Sequence, residues 1–373
     1  MSSIALQRLG WGAAGAAVGL LLLAVAGQPL DVSAWLQPEL ELVSDVDGEL
    51  AEIELHYVRS FHEASFATLS DLLDALPRDT AVRVVVADVH EFDFLVGELE
   101  RHGISPPDEL TAVVTGFPIT PWAKDRFGTF RRGDQPVLAL PPDRSRVGGA
   151  RGNDGRVPEI LCRELEGLTC ESLPFRFEGG DLLSDADRVY LPANLPGRNP
   201  HLDEDELLAS MEQIFGRDSA RIGQRPSEIP DHHIGMVVTP LGDGIVAVAD
   251  PDLGRELAET TDVSPVEIER DDARYEPFRA VATILEDQGL TVVRVPMLLT
   301  TTPRVFVTYN NALLETRSDG RHIFMPVYEL PQLDAAAAQV FEEQGLSVHP
   351  IRVADVYEHT GSLRCLVGVI ARR

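Results

Sequence analysis

Four times along the chain an amphipathic stretch ends at a glycine, steps over one apolar residue and runs into a short β-rich segment. The copies are Leu99-Glu100-Arg101-His102-Gly103-Ile104, Glu164-Leu165-Glu166-Gly167-Leu168-Thr169, Glu286-Asp287-Gln288-Gly289-Leu290-Thr291-Val292 and Glu342-Glu343-Gln344-Gly345-Leu346-Ser347-Val348. A glycine just past a helix takes the left-handed conformation that a Cβ disfavours, so each copy predicts helix, turn and strand. The glycines lie 64, 122 and 56 residues apart. The middle interval spans about two repeats, which predicts a degenerate copy around a helix from Asp203 to Phe215. Alternating or β-branched patterns predict further strands over Ala81–Val89, Pro136–Leu140, Arg188–Leu191, Gly244–Ala249, Asn311–Thr316 and His322–Pro326. Asp243-Gly244 and Asp319-Gly320 predict hairpin turns. Each unit reads as strands plus one helix, roughly 60 residues long. Five in sequence imply an α/β fold with a closed radial arrangement, because repeats bury their faces on neighbours. Pro141–Pro158 and Gly216–Pro230, rich in turn-forming residues, predict exposed loops placed to act as lids.

The first 30 residues are a different material. Arg8 is the only charged side chain before Asp31, and Leu9 to Leu30 is an uncharged run of 22 residues. Leu20-Leu21-Leu22-Leu23 lies at its centre, and Ala24-Val25-Ala26 fits a small-residue cleavage site before Gly27. Residues 1–30 thus predict an export signal or, uncleaved, a membrane anchor. The rest, 31–373, is read as a single domain working outside the cytoplasm, in a periplasmic or extracellular space. The 373 residues are 44% hydrophobic, ordinary for a globular chain, but the net charge of −28 is not. It excludes a nucleic-acid partner, whose phosphates would be repelled, and favours cationic ligands. Of three cysteines, Cys162 and Cys170 are eight apart and predict a disulfide in an oxidising space. Cys365 is then the odd thiol.

Cys365 is the ninth residue from the end, in Gly361-Ser362-Leu363-Arg364-Cys365-Leu366. Upstream stand Trp122-Ala123-Lys124-Asp125, Glu178-Gly179-Gly180-Asp181 and His233-Ile234-Gly235-Met236. A thiol nucleophile, an imidazole and several carboxylates are the parts needed to attack a cationic carbon such as that of a guanidinium. Taken singly, each has a plainer reading: a core cysteine, a structural strand histidine, a double-glycine hairpin turn, a surface aspartate. Together, in this order, they resemble the guanidine-modifying enzymes of the pentein superfamily, which includes arginine and agmatine deiminases, dimethylarginine hydrolases and amidinotransferases.

The resemblance covers about Arg83 to Cys365. It implies a five-bladed β/α propeller with pseudo-fivefold repeats and an active site at the central axis. It also implies a cysteine-dependent hydrolase of a guanidino compound of the arginine, agmatine or methylarginine type, using no cofactor and no metal. Cys365 becomes the nucleophile, with Arg364 or a bound cation favouring its thiolate. His233 becomes the proton shuttle and Glu178 the residue that holds the imidazole, while Asp125 and Asp181 bind the cationic substrate. Two departures stand out. Lys124 replaces the family's arginine, and Gly235 stands where the family usually has a second substrate-binding aspartate, a role open to Asp231 or Asp181. The alternatives are an amidinotransferase, in which an amine resolves the covalent intermediate, and a non-catalytic relative that binds a cationic ligand or protein partner.

Overall fold

The helix-ending glycines sit in the left-handed region, with φ of 69° at Gly103, 81° at Gly167, 81° at Gly289 and 76° at Gly345. The computed structural model describes residues 40–142, 149–223, 230 and 233–373. The degenerate copy is present too: helix Glu204–Phe215 ends at Gly216, whose φ is 66°. At all five places the strand before the helix pairs in parallel with the strand after the glycine. The pairs are Ala81–Val86 with Leu110–Val114, Gln135–Leu140 with Thr169–Ser172, and Arg188–Pro192 with Asp218–Ile222. The remaining two are Ile245–Asp250 with Thr291–Leu299 and Gly320–Val327 with Leu346–Arg352. Parallel neighbours need a crossover of this kind, since a tight hairpin cannot join them.

Among the described residues these pairs belong to five separate mixed sheets. Four sheets begin with a hairpin. Gly128–Arg132 turns into Gln135–Leu140, Leu183–Ser184 into Arg188–Pro192, Val238–Gly242 into Ile245–Asp250, and Leu313–Arg317 into Gly320–Val327. The third turns at Asp243-Gly244, where the sequence predicts it, and the fourth at Ser318-Asp319, one residue earlier than predicted, with Gly320 already paired to Arg317. The fifth sheet takes its antiparallel pair from both ends of the chain: Val367–Arg372 lies against Leu50–His56. Helix His62–Ala75 then leads from Leu50–His56 to its parallel neighbour, Ala81–Val86.

The helices bury narrow stripes. Leu207, Met211 and Phe215 are the buried residues of Glu204–Phe215, and Leu333, Ala337 and Phe341 those of helix Pro331–Glu343. A four-residue spacing keeps each trio on one face. Phe341 is fully buried, which contributes about 1.5–3 kcal/mol relative to an exposed ring.

Two expectations change. Pro141–Pro158 is not a plain loop: it contains helix Gly149–Asp154 and the start of helix Val157–Glu164, with Asp154 buried. Thr120 explains the order there, because its amide and hydroxyl both donate to Asp154. Gly216–Pro230 begins with strand Asp218–Ile222, held by its parallel ladder. The leader, residues 1–30, lies outside the described residues. The compact unit begins at Leu40, so the stretch from 31 to 39 lies outside them as well. No helix among the described residues is long and apolar enough to cross a membrane.

Cys162, in helix Val157–Glu164, is disulfide-bonded to Cys170, in strand Thr169–Ser172, and Cys365 is a free, buried thiol. Thiol titration of the unreduced, denatured protein should therefore find one thiol per chain, rising to three after reduction. Three thiols before reduction would show that the bridge does not form. Cys162→Ala should lower stability by about 2–4 kcal/mol in a denaturant titration.

Candidate active site

One rule places the chemistry. Each hairpin, and the antiparallel pair made from the chain ends, is entered through a short turn, and each turn carries one polar residue to the same region. Ala123–Arg126 precedes Gly128–Arg132 and holds Asp125. Gly179–Asp181 precedes Leu183–Ser184, with Glu178 as its first flanking residue. His233 flanks Ile234–Met236, ahead of Val238–Gly242. Leu363–Leu366 holds Cys365, ahead of Val367–Arg372. In the remaining sheet a bend at Asn311 precedes Leu313–Arg317.

The structure brings Asp125, Glu178, His233 and Cys365 onto the wall of one cavity of about 340 Å³. Trp122, Arg151, Asn194, Arg198, Thr360 and Gly361 complete the wall. The double glycine of Glu178-Gly179-Gly180 has a steric cause. A Cβ on Gly179 would lie 2.1 Å from the Lys124 carbonyl oxygen, and one on Gly180 would lie 2.4 Å from His233 Nδ1. Any side chain at either position would push apart the turns that bring Asp125, Glu178 and His233 together.

His233 Nε2 lies 2.7 Å from Glu178 Oε2, and its Nδ1 faces Asp125 Oδ1 at 3.7 Å. Burial alone would push the imidazole down. Hydrogen bonds with Cys365 and Glu178, and the charges of Asp125 and Asp181, instead hold it well above its ordinary value. Burial opposes the charge on Glu178, but the bond to His233 and the neighbouring Arg198 keep this carboxyl well below the usual range. His233 is therefore held as an imidazolium against an anion, close to a thiol.

Asn311 is a site residue that sequence reasoning missed. It is buried, and its Oδ1 accepts from the Cys365 amide at 3.2 Å and lies 3.4 Å from Cys365 Sγ. Its Nδ2 donates to the Gly235 carbonyl at 3.3 Å. The one signal for it was an Asn-Asn pair at the start of the strand expected over Asn311–Thr316, which in the structure begins only at Leu313. Two arginines were missed as well. Arg198 pairs with Glu178 Oε2 at 2.9 Å, and Arg151 pairs with Asp125 Oδ2 at 2.8 Å. Both carboxylates thus already carry a protein cation on one oxygen.

Asp181 does not line the cavity. It is fully buried behind the histidine turn, accepting from the Ile234 amide at 3.4 Å. Arg198 Nη2 approaches its Oδ2 at 2.9 Å without hydrogen-bond alignment. Burial, acting first, raises the Asp181 carboxyl above its ordinary value. Glu178, Asp181 and His233 offer ligand atoms within 4.8 Å of one another, a spacing a metal ion would fit. Arg198 already supplies the positive charge between the two carboxylates. Gly235 is buried and is not part of the cavity wall; a Cβ there would lie 3.1 Å from Arg364 Nη1 and 3.3 Å from the Gly180 carbonyl. The Arg364 head fills the space that a side chain at 235 would take. Asp231 lies outside the described residues.

A sequence-family profile described as Porphyromonas-type peptidyl-arginine deiminase matches residues 60–368. No curated protein matches the sequence significantly. Among solved structures, the C. jejuni agmatine deiminase superposes with a TM-score of 0.70 at 13% identity, covering 90% of this chain and 97% of that one. The Enterococcus faecalis agmatine deiminase gives 0.63 at 13% identity, covering 90% and 96%. At such identity the likeness is one of fold.

The imidazolium is testable alone. Glu178→Gln should lower the His233 pKa, read from the imidazole C–H shifts in an NMR titration. A folded-state pKa above the unfolded value of about 6.5 gives stability that is full below that pH and lost as pH rises through the folded value. Denaturation midpoints should therefore fall on alkalinisation in the wild type, and less so in Glu178→Gln. An unchanged titration would mean that Glu178 does not hold the proton.

Proposed function

Because the chain belongs to the Porphyromonas-type peptidyl-arginine deiminase family, within the pentein superfamily of guanidino-group hydrolases, we propose that it hydrolyses a guanidino compound through a covalent intermediate on Cys365. The observation that carries this reading is the convergence of Cys365, His233, Glu178 and Asp125 on one cavity. The five sheets are then the blades of a closed β/α propeller, with the entry turns gathered at one end of its axis.

The chemistry follows from the geometry. The substrate's guanidinium donates to the oxygens that the arginines leave open, Glu178 Oε1 and Asp125 Oδ1. Localising positive charge on its nitrogens makes the central carbon more electrophilic. Cys365 ionises beside the His233 imidazolium, releasing its proton to water, and the thiolate forms the C–S bond with the guanidinium carbon. His233 protonates the departing amine as the C–N bond breaks, leaving a thiouronium ester. Water then gives its proton to His233, its oxygen bonds to carbon, the C–S bond breaks, and the ureido product leaves with the thiolate restored. Asn311 holds the Cys365 turn during both steps, and Asp181 holds Arg198.

The disulfide Cys162–Cys170 and the apolar run of residues 9–30 support an exported enzyme, with that segment either cleaved or kept as an anchor. A second reading rests on Arg198 and Arg151. Because they already engage Glu178 and Asp125, the cavity also suits a protein that binds a cationic ligand without turnover.

The test is a ureido-product and ammonia assay of the full chain on arginine, agmatine, methylarginines and an arginine peptide, with and without glycine as amine acceptor. Turnover of at least one substrate is expected, and Cys365→Ala should abolish it. Asp125→Asn should cut kcat/KM roughly 30-fold or more, since losing one partner of a buried charged contact costs about 2–5 kcal/mol. A product formed only with glycine would make it a transferase. Unchanged binding of a cationic ligand in a protein that turns nothing over would make it the non-catalytic relative. Gly235→Asp should not improve KM, because its carboxylate would meet Arg364 and not the cavity. A tenfold lower KM would show that Arg364 yields and that the missing aspartate limits binding.

A further inference from the structure

Residues 43–49, which precede the region matched by the family, touch all five sheets. The Val43 amide donates to Thr129 O, the Asp45 amide to Ser184 O, and the Glu49 amide to Arg373 O. The Thr316 amide donates to Gly48 O, and Val46 packs where Gly242 lacks a side chain. This segment works as a plug, and it sends one carboxylate inward. Asp45 Oδ2 accepts from the Ser184 amide at 3.0 Å, and its Oδ1 accepts from Arg364 Nη2 at 2.9 Å.

Arg364 is the residue before the thiol, and it is almost completely buried. Its amide donates to Asn311 O at 3.1 Å and its Nη2 also reaches Leu182 O at 3.0 Å, while its Nη1 fills the space beside Gly235. Arg364 thus ties the Cys365 turn to the Asn311 turn through its backbone amide and to the turns of Glu178 and His233 through its side chain. Two more cations, Lys124 and Arg372, lie close to the same carboxylate. Burial first, and then Arg364, push the Lys124 ammonium down to about 7. A buried guanidinium is tolerated only with a partner, and Asp45 is the carboxylate paired with Arg364. Without it Arg364 would face other cations and would have to leave.

We propose that Asp45 is a positioning residue for the reactive thiol, holding Arg364 and through it the Cys365 turn. The inference rests on the proposed function only in taking Cys365 as the reactive thiol. Its test needs no turnover. The rate of Cys365 alkylation by iodoacetamide is measured in the full-length wild type and in folded Asp45→Asn, Asp45→Glu and Arg364→Met, with Cys365→Ala as the blank. Asp45→Asn and Arg364→Met should each slow alkylation roughly 10- to 100-fold, the scale of a misplaced reacting atom. Asp45→Glu should recover most of the rate, and Asp45→Asn/Arg364→Met should be no slower than either single variant. The double variant, which removes both charges of the pair, also serves if Asp45→Asn fails to fold. Wild-type alkylation rates in the double variant, in folded Asp45→Asn or in Arg364→Met would overturn the proposal, as would an unreactive wild-type thiol. A wild type that alkylates quickly but turns over no guanidino substrate would count against the hydrolase and leave this inference standing.

Discussion

The antiparallel ladder between Val367–Arg372 and Leu50–His56 is the constraint on which the site depends. A thiol at the ninth residue from the end of a chain would ordinarily sit in a fraying tail. Here the last strand is the edge member of a four-stranded sheet, hydrogen-bonded along Leu50–His56, with Ala81–Val86 beyond. The turn of Leu363–Leu366 is therefore as firmly placed as the internal turns it must meet. The order of the chain then ceases to matter: residues 240 positions apart, such as Asp125 and Cys365, become neighbours because each enters its own sheet by the same kind of turn.

Once the turns meet, charge decides what they can do. The chain carries a formal −28, yet its centre is nearly balanced. Asp125, Glu178 and Asp181 face Arg151 and Arg198, and Asp45 faces Arg364. Each of these carboxylates has an arginine partner, and an unpaired buried ion would cost several kcal/mol. A cation that enters must compete with, or share carboxylates with, arginines already in place, whereas a neutral ligand would leave every charge where it is. The same balance keeps His233 protonated despite burial.

The departures from the family pattern form one structural unit. Gly235 leaves room, and Arg364 takes it. Arg364 needs an anion, and Asp45 from the plug supplies it. Where the resemblance implies a carboxylate beside the histidine turn, the structure has a guanidinium anchored from another part of the chain. Seen from the motif alone, Gly235 looks like a loss; within the structure it is one side of a packed ion pair.

Much of the architecture was legible in the residues themselves. Glycines past helices, Asp-Gly turns and alternating strands report local backbone preference, which needs no knowledge of distant contacts. That is why Gly103, Gly167, Gly289 and Gly345 marked helix ends correctly and the weak copy near Phe215 could be located. The order Asp125, Glu178, His233, Cys365 was equally legible, because reactive side chains in short distinctive contexts survive as motifs. Other features were not. The helix in 149–154 depends on Thr120 binding Asp154, and strand 50–56 depends on a partner more than 300 residues away. Asn311, Arg151, Arg198 and Asp45 carry no local signature, since asparagine before a strand and arginine on a helix are commonplace. Their roles come from what stands opposite them. Propensity and chemistry are written residue by residue, but pairing of charges and exclusion of side chains are properties of neighbours, and only the tertiary fold chooses the neighbours.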